Sequence, residues 1–443
     1  MIHRTQYRIS LGALDHKFMP TYPTRVSDNH RFLQQENGKP FFYLGDTAWE
    51  LFHRLDRDET ELYFQDRISK KYSVIQAVVL AEEDGLRVPN RYDEVPLHDF
   101  DPTRPNEKYF EHVDWAIARA NELGLCVGLL PTWGDKWNMK WGVGPKIFTP
   151  ENAATYGEWL GRRYRDAGVI WIVGGDRPIE NETHRAIVEN TALGLRAGDG
   201  GRHLISFHPC GQQTSSQYFH QAEWLDFNMW QTGHGRDRDN YDSIARDYAL
   251  SPTKPCMDAE PCYEEHPAGF KVENDYLREY DVRRALYWAL FAGAHGHTYG
   301  CHAIWQFWDG KGEGKNHPVR SWQESLNLPG AGQMQHARAL LESKPFFSRI
   351  PDQSIIIEGQ SEGRTHLQAT RDSEGSFALV YFPESTSATI DLRVMASAKV
   401  SASWFDPRTG ESHTLGEFSG SSQEFTPPQQ ATGEDWVLVL DAG

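Results

Sequence analysis

Short apolar runs alternate with helical patterns along about the first 350 residues of this chain. Such an alternation is typical of a parallel β-sheet whose strands are joined by crossover helices. About eight of the runs qualify as strands, which is the number that a closed β/α barrel needs. The sequence therefore predicts an α/β fold of the (β/α)8, or TIM barrel, class from the runs FFYLGDTAW, SVIQAVVLAEEDG, GLCVGLLPTWGD, GVIWIVGGDRP, HLISFHPCG, EWLDFNMWQTGHG, KPCMDAEPCYE and GHTYGCHAIWQFW.

The segments around these runs carry turn and helix signals. Asn37 and Gly38 predict a hairpin before the first strand, because this pair favours tight turns. The segment NEKYFEHVDWAIARANELG has one apolar helical face and ends at Gly124, a favourable residue after a helix C-terminus. Thr149 and Pro150 are typical of the first positions of a helix. A third helix is predicted over NDYLREYDVRRALYWALFAG.

The pattern changes after about residue 350. The runs SFALVYF, ATIDLRV, KVSASWFD and DWVLVLD are separated by turn clusters, with no helical pattern between them. We therefore predict a barrel catalytic domain with its N-terminal hairpin over residues 1–350, and a small antiparallel β-sandwich over residues 351–443. The second domain shows no chemistry of its own, so we expect it to pack on the barrel, in preference to a role in binding carbohydrate.

Charge and composition argue against several classes of partner. The chain carries 45 basic and 62 acidic side chains, and its net charge of -17 would repel nucleic acids and anionic lipid surfaces. No apolar run approaches the roughly 20 residues that a membrane span requires, and the N-terminal stretch lacks the apolar core of a secretory signal. We expect a cytoplasmic protein. The five cysteines form no C-x-x-C pair, so neither a metal nor another cofactor is expected.

Two carboxylates stand at the ends of predicted strands on opposite sides of the barrel. Asp176 follows the fourth run and Glu260 the seventh. Loops after the strands form the active face of such a barrel, so both side chains can reach one bond. Glycosidic cleavage needs such a pair, one to protonate the leaving oxygen and one to act at the anomeric carbon. Other carboxylates at strand ends are Asp46, Glu82, Glu83, Asp84 and Asp135.

Gly174 and Gly175 precede Asp176 directly. Glycines there allow a sharp bend and leave room for a sugar ring beside the carboxyl group. The alternative is that Asp176 caps a helix starting near Pro178, as aspartates between a strand and a helix often do.

Aromatic and polar side chains follow the same strands. Sugars present flat C–H faces and a rim of hydroxyl groups, which tryptophans and polar side chains match. The candidates for substrate binding are Trp49, Trp133, His208, Trp230, Gln231, His234, Tyr263, Trp305 and Trp308.

The motifs FFYLGDTAW, VIWIVGGDRP, CMDAEPCYE and GHTYGCHAIWQF resemble those of the apiosidase-like glycoside hydrolases of family 140, a group within the large retaining clan of barrel glycosidases. The similarity runs from about residue 25 to the end. It implies a (β/α)8 fold, a retaining mechanism and release of apiose from a β-apioside. The expected cytoplasmic location favours small substrates such as oligosaccharides or plant glycosides. By matching motifs, Asp176 resembles the acid/base, Glu260 the nucleophile, and Asp46 and Trp49 substrate contacts.

One departure from the wider clan bears on the glycone. Most clan members carry Asn-Glu at the end of the fourth strand, where this chain has Gly175 and Asp176. The 2-hydroxyl group must then find another partner, which suits a furanose or another unusual glycone.

Three alternatives remain open. The chain could be a retaining glycosidase that acts on another furanoside or a pyranoside. The segment HGHTYGCH suggests a metal-dependent barrel hydrolase, but such enzymes usually carry His-x-His after the first strand, where this chain has GDTAW. A catalytically silent sugar-binding barrel would use both carboxylates only as hydrogen-bond acceptors.

Overall fold

The computed structural model describes residues 22–428 and 433–443. The described chain opens with a small antiparallel sheet of three short strands. Gly38 has a φ of +84° in the turn between the second and third of them, as the predicted hairpin requires. The strands are β1 Pro23–Val26, β2 Leu33–Gln35 and β3 Pro40–Phe41.

A barrel follows, which confirms the predicted fold class. In the described residues, eight parallel strands and one short antiparallel strand form one sheet in the order β8-β7-β6-β5-β4-β12-β11-β10-β9. The parallel strands are β4 Tyr43–Thr47, β5 Val74–Leu80, β6 Cys126–Thr132, β7 Val169–Gly174, β8 Ile205–His208, β10 Asn228–Gln231, β11 Cys256–Asp258 and β12 Gly296–Tyr299, and the antiparallel strand is β9 Gln213–Thr214.

The barrel closes between β8 and β10 without a regular strand ladder. The Ser206 hydroxyl donates to the Phe227 carbonyl oxygen at 2.7 Å, and the Asp226 amide donates to the Ile205 carbonyl oxygen at 2.9 Å. These bonds hold the first and last halves of the barrel together, so that the C-terminal ends of all eight described parallel strands surround one mouth.

Helices surround the barrel and cover its outer face. Their starts agree with the sequence signals: Thr149 caps α4 and accepts from the Asn152 amide, and Pro150 is the first helical residue. The helices are α1 Leu51–Arg54, α2 Arg57–Ser69, α3 Glu107–Glu122, α4 Pro150–Arg163, α5 Glu182–Asp199, α6 Ser216–Phe219, α7 Asn240–Tyr248, α8 Glu279–Phe291, α9 His302–Trp305, α10 Trp322–Ser325 and α11 Pro329–Glu342.

The C-terminal part is an antiparallel β-sandwich, as predicted. A six-stranded sheet of order β13-β15-β16-β21-β18-β19 faces a three-stranded sheet of order β14-β17-β20. The strands are β13 Arg349–Pro351, β14 Ile356–Glu358, β15 Gln368–Asp372, β16 Phe377–Phe382, β17 Ala388–Asp391, β18 Lys399–Phe405, β19 Ser412–Ser419, β20 Ser422–Phe425 and β21 Trp436–Ala442.

The large sheet is buried on both faces. Because side chains of a strand alternate between faces, Leu379 and Tyr381 pack with the barrel helices while Val380 packs between the two sheets. On α8, Arg283 forms a buried ion pair with Asp435 of the sandwich, at 2.5 Å between Nη2 and Oδ1. The sandwich therefore shares its core with the barrel. No helix in the described part of the chain has the length and apolarity to cross a membrane.

Candidate active site

A cavity of about 620 Å³ lies at the mouth of the barrel, and it is lined by residues at or after the C-terminal ends of all eight described parallel strands. A cavity of this size is in the range of small-molecule sites. Asp176 and Glu260, which the sequence places after strands on opposite sides of the barrel, both line it. The other predicted residues in its wall are Trp49, Trp133, Gln231, His234, Tyr263 and Trp305.

The backbone before Asp176 needs both of its glycines. Gly174 and Gly175 have φ values of +103° and +105°, in the region that favours glycine. A Cβ atom on Gly174 would lie 2.5 Å from the His208 carbonyl oxygen. Asp176 itself has a φ of +50°. The next helix is capped by Asn181, so Asp176 is not the helix cap that the sequence left open.

The Asp176 carboxylate lies at the cavity surface with 22% of its side chain exposed. Its Oδ2 atom accepts from Nη1 of Arg177 at 2.9 Å and from the indole nitrogen of Trp141 at 3.3 Å. Burial and the nearby charge of Glu260 raise the pKa of Asp176, although Arg177 and His208 oppose the change. A carboxyl group in this setting holds its proton to a higher pH than usual.

Glu260 is almost fully buried and lies between two histidines. Its Oε2 atom is 3.0 Å from Nε2 of His208, and its Oε1 atom is 3.3 Å from Nε2 of His234. Burial alone would raise the pKa of Glu260, but the two histidines outweigh it and hold the pKa below its usual value. The two carboxyl groups of the cavity therefore have pKa values pushed in opposite directions.

A third carboxylate joins the site through a buried arginine. Arg177 is fully buried and contacts Asp176 with Nη1 and Oε1 of Glu82 with Nη2, the latter at 3.1 Å. Burial raises the pKa of Glu82 to about 8, against the effect of Arg177. The sequence marks Glu82 as a strand-end carboxylate, but nothing in it shows that Arg177 connects Glu82 to Asp176.

The aromatic residues form the cavity wall in contact with one another. The rings of Trp49 and Trp133 are 5.1 Å apart, and both pack against His208 at 5.3 and 5.8 Å. The rings of Tyr263 and His234 are 4.3 Å apart. The cavity wall therefore offers both aromatic rings and polar side chains, which suits a ligand with both C–H faces and hydroxyl groups.

Besides Asp46, three predicted residues lie outside the cavity lining. His208 lies behind Glu260 and its Nδ1 atom contacts the Pro209 carbonyl oxygen at 3.0 Å, so it supports the carboxylate from below. Trp230 is buried under the guanidinium group of Arg246, which lies 4.8 Å from its ring. Trp308 donates to the Lys311 carbonyl oxygen at 3.0 Å.

Asp46, which is expected from the sequence to contact substrate, lies outside the cavity lining. Asp46 is fully buried, and its Oδ2 atom accepts from Tyr63 and Arg67 of α2, each at 2.5 Å. Side chains alternate along β4, so Tyr43 points into the barrel while Leu44 and Asp46 point towards the surrounding helices. The carboxylate therefore anchors α2 to the barrel.

The sequence missed two aromatic residues of the rim. Trp141 and Phe270 line the cavity and are 60% and 61% exposed, but they belong to loops without a strand or helix pattern. No group of three His, Cys, Asp or Glu side chains is placed to hold a metal ion within the described residues.

Two solved structures that resemble this chain over nearly its whole length are described as glycoside hydrolases. One, described as a glycoside hydrolase, is 34% identical over 96% of this chain and 98% of its own, with a TM-score of 0.88. A glycoside hydrolase family 5 protein from Bacteroides vulgatus ATCC 8482 is 33% identical over 96% of this chain and 95% of its own, with a TM-score of 0.87. An endo-1,4-beta-mannanase from Rhizomucor miehei shares the fold at 12% identity, covering 72% of this chain and 99% of its own, with a TM-score of 0.51.

Family models match both parts of the chain. Residues 350–441 match a model described as a putative collagen-binding domain of a collagenase. A search of curated protein sequences gave no match. Residues 27–348, which contain the barrel and its cavity, match the model described as the catalytic domain of the apiosidase-like proteins. The chain therefore belongs to the apiosidase-like family and is a glycoside hydrolase.

Proposed function

We propose that this glycoside hydrolase cleaves its substrate by double displacement, with Glu260 as nucleophile and Asp176 as acid/base. One observation carries the proposal: the two carboxyl groups line the same cavity, and their surroundings push their pKa values apart. Environments of this kind distinguish the acid from the nucleophile in glycosidases that use two carboxyl groups.

In the first step an oxygen of ionised Glu260 forms a bond to the anomeric carbon. The bond from that carbon to the leaving oxygen breaks, and the proton of Asp176 passes to the departing oxygen. In the second step Asp176, now ionised, takes a proton from water, whose oxygen attacks the anomeric carbon and releases Glu260. The sugar leaves with the anomeric configuration that it had in the substrate.

The histidines beside Glu260 explain why this carboxylate takes the role of nucleophile. His208 and His234 stabilise its ionised form, so it is ready to attack over a wide pH range. Asp176 has no histidine within ion-pair distance among the described residues, and burial and the charge of Glu260 raise its pKa despite the ion pair with Arg177. The division of roles follows from these neighbours.

The glycone that we propose is apiose, released from the end of a β-apioside. The apiosidase-like family supports this choice, and so does Gly175, which leaves the position before the acid without a side chain. The sugar would contact the aromatic wall formed by Trp49, Trp133, Tyr263 and Trp305, with Gln231 beside Asp176 as a polar contact. The substrate class is an oligosaccharide or a plant glycoside.

The test is product analysis on a panel with one common aglycone and different glycones: apiose, arabinofuranose, glucose and galactose. We expect the β-apioside to be cleaved with the highest kcat/KM, and its product to appear first as the β anomer by NMR. Preference for another glycone rejects apiose but leaves the two-carboxylate mechanism standing. Initial appearance of the opposite anomer rejects the double displacement.

A further inference from the structure

Trp141 is a large apolar residue that the fold leaves in contact with solvent. Its side chain is 60% exposed, yet it lines the cavity, and its indole nitrogen lies 3.3 Å from Oδ2 of Asp176. Exposed aromatic surface of this kind at the rim of a ligand cavity is typical of a binding contact.

The loop that carries Trp141 is held in place by contacts with neighbouring residues. The guanidinium group of Arg177 lies 5.1 Å from the centre of the indole ring. The Gly144 amide donates to Oδ2 of Asp135 at 2.9 Å. Gly142 allows this close packing, because a Cβ atom there would lie 2.2 Å from the Cβ atom of Asp135.

The backbone at Trp141 is itself unfavourable. Its φ is +41°, a value that bulky residues rarely adopt. Backbone strain of this kind is concentrated at functional sites, where the surrounding structure imposes it. The loop therefore holds the indole ring in place beside Asp176 at a conformational cost.

The position of Trp141 relative to the two carboxylates decides which part of a substrate it can meet. The acid must lie beside the oxygen that leaves, so the aglycone occupies the Asp176 side of the cavity. Phe270, the other exposed aromatic residue of the rim, packs on His234 at 5.5 Å and so lies on the Glu260 side.

We propose that Trp141 is the platform of an aglycone subsite, and that its indole ring stacks on the first ring of the leaving group. The ligand class is a ring with an apolar face, as a sugar ring or a phenolic ring presents. This inference rests on the proposed role of Asp176 as the acid, because that role fixes the side on which the aglycone lies. It adds a specificity determinant outside the glycone pocket.

The experiment compares two substrates with the same glycone, a 4-nitrophenyl glycoside and a glycosyl fluoride, using whichever glycone the wild-type enzyme cleaves. Neither leaving group needs protonation, so the ratio of the two kcat/KM values reports contact with the aglycone ring. We expect Trp141→Ala to lower kcat/KM on the nitrophenyl glycoside roughly tenfold relative to the fluoride. Trp141→Phe keeps a ring and should restore the ratio to within about threefold of wild type.

The control is Phe100→Ala, because Phe100 is 41% exposed and outside the cavity lining; it should leave the ratio unchanged. An unchanged ratio in Trp141→Ala overturns the inference. Equal losses in Trp141→Ala and Trp141→Phe also overturn it, since the indole N–H contact with Asp176 would then be what matters. This test does not depend on the proposed glycone, because the ratio of the two kcat/KM values is measured for whichever glycone the enzyme cleaves. The proposed role of Asp176 as the acid is tested separately by Asp176→Asn.

Discussion

The Nε2 atom of His208 lies 3.0 Å from the Oε2 atom of Glu260, which lines the same cavity as Asp176. His208 ends strand β8, and Glu260 follows strand β11. Hydrogen bonding to His208 and His234 lowers the pKa of Glu260, whereas burial and the charge of Glu260 raise the pKa of Asp176 against the effect of Arg177. Two carboxyl groups in one cavity thereby acquire different affinities for protons.

His234→Gln should move the acidic limb of the pH profile of kcat/KM to higher pH. Both histidines hold the pKa of Glu260 low, so removing one raises it, and a nucleophile that must be ionised then loses activity at a higher pH. We expect a displacement of roughly one pH unit. His413→Gln is the control, since His413 is exposed on the C-terminal sheet. An unmoved acidic limb in His234→Gln would contradict the account.

Asp176→Asn should lower kcat/KM by an amount that depends on the leaving group of the substrate. Without an acid, glycosides with alkyl or sugar aglycones should lose about 10²-fold to 10⁴-fold in kcat/KM, while a nitrophenyl glycoside, which needs no protonation, should lose far less in its glycosylation step. The raised pKa of Asp176 sets the basic limb, so this limb should disappear in the variant. Equal losses on both classes of substrate would rule out the acid role.

Gly174→Ala should destabilise the fold. The φ of +103° and the 2.5 Å approach of the His208 carbonyl oxygen leave no room for a Cβ atom. We expect the free energy of unfolding to fall by about 2 to 4 kcal/mol in denaturant titrations. Gly332→Ala is the matched control: Gly332 lies in helix α11 with nothing within 4 Å of an added Cβ, so stability should hold or rise slightly. Equal effects of the two changes would refute the role given to Gly174.

Asp46→Ala distinguishes a structural role of Asp46 from the predicted substrate contact. It removes the fully buried carboxylate that pairs with Nε of Arg67 and leaves that guanidinium group only Asp66, so the free energy of unfolding should fall by about 3 kcal/mol. KM of the folded variant should equal that of wild type. For comparison, Asp166→Ala removes an exposed ion pair with Arg202 and should cost less than about 1 kcal/mol. A raised KM in a stable Asp46→Ala variant would restore the substrate contact.

The fold and the positions of the two carboxylates could be predicted from the sequence because the ends of apolar strands can be recognised there. In a parallel barrel all carboxyl ends meet at one mouth, so Asp176 and Glu260 could be placed together from their positions after apolar runs. The adjacent Gly174 and Gly175 gave a further local sign, which the positive φ values explain. The domain division at about residue 350 stays a prediction of the sequence pattern.

The remaining features of the site depend on side-chain directions and on contacts between distant loops, which the sequence does not show. In the sequence, Asp46 and Asp176 both come at the end of an apolar run. Because side chains alternate along a strand, Asp46 points towards α2 and not into the cavity. The link from Arg177 to Glu82 joins two loops far apart in sequence. Trp141 lies in a loop whose path is set by close packing at Gly142, and a helix or strand period cannot reveal such packing.

The most direct test is to trap the covalent intermediate with an activated 2-fluoro glycoside of the preferred glycone, and to locate the label by peptide mass spectrometry. The account predicts one glycosyl group per chain, attached to Glu260, and a complete absence of label in Glu260→Gln. A label on Asp176 or Glu82 would contradict it.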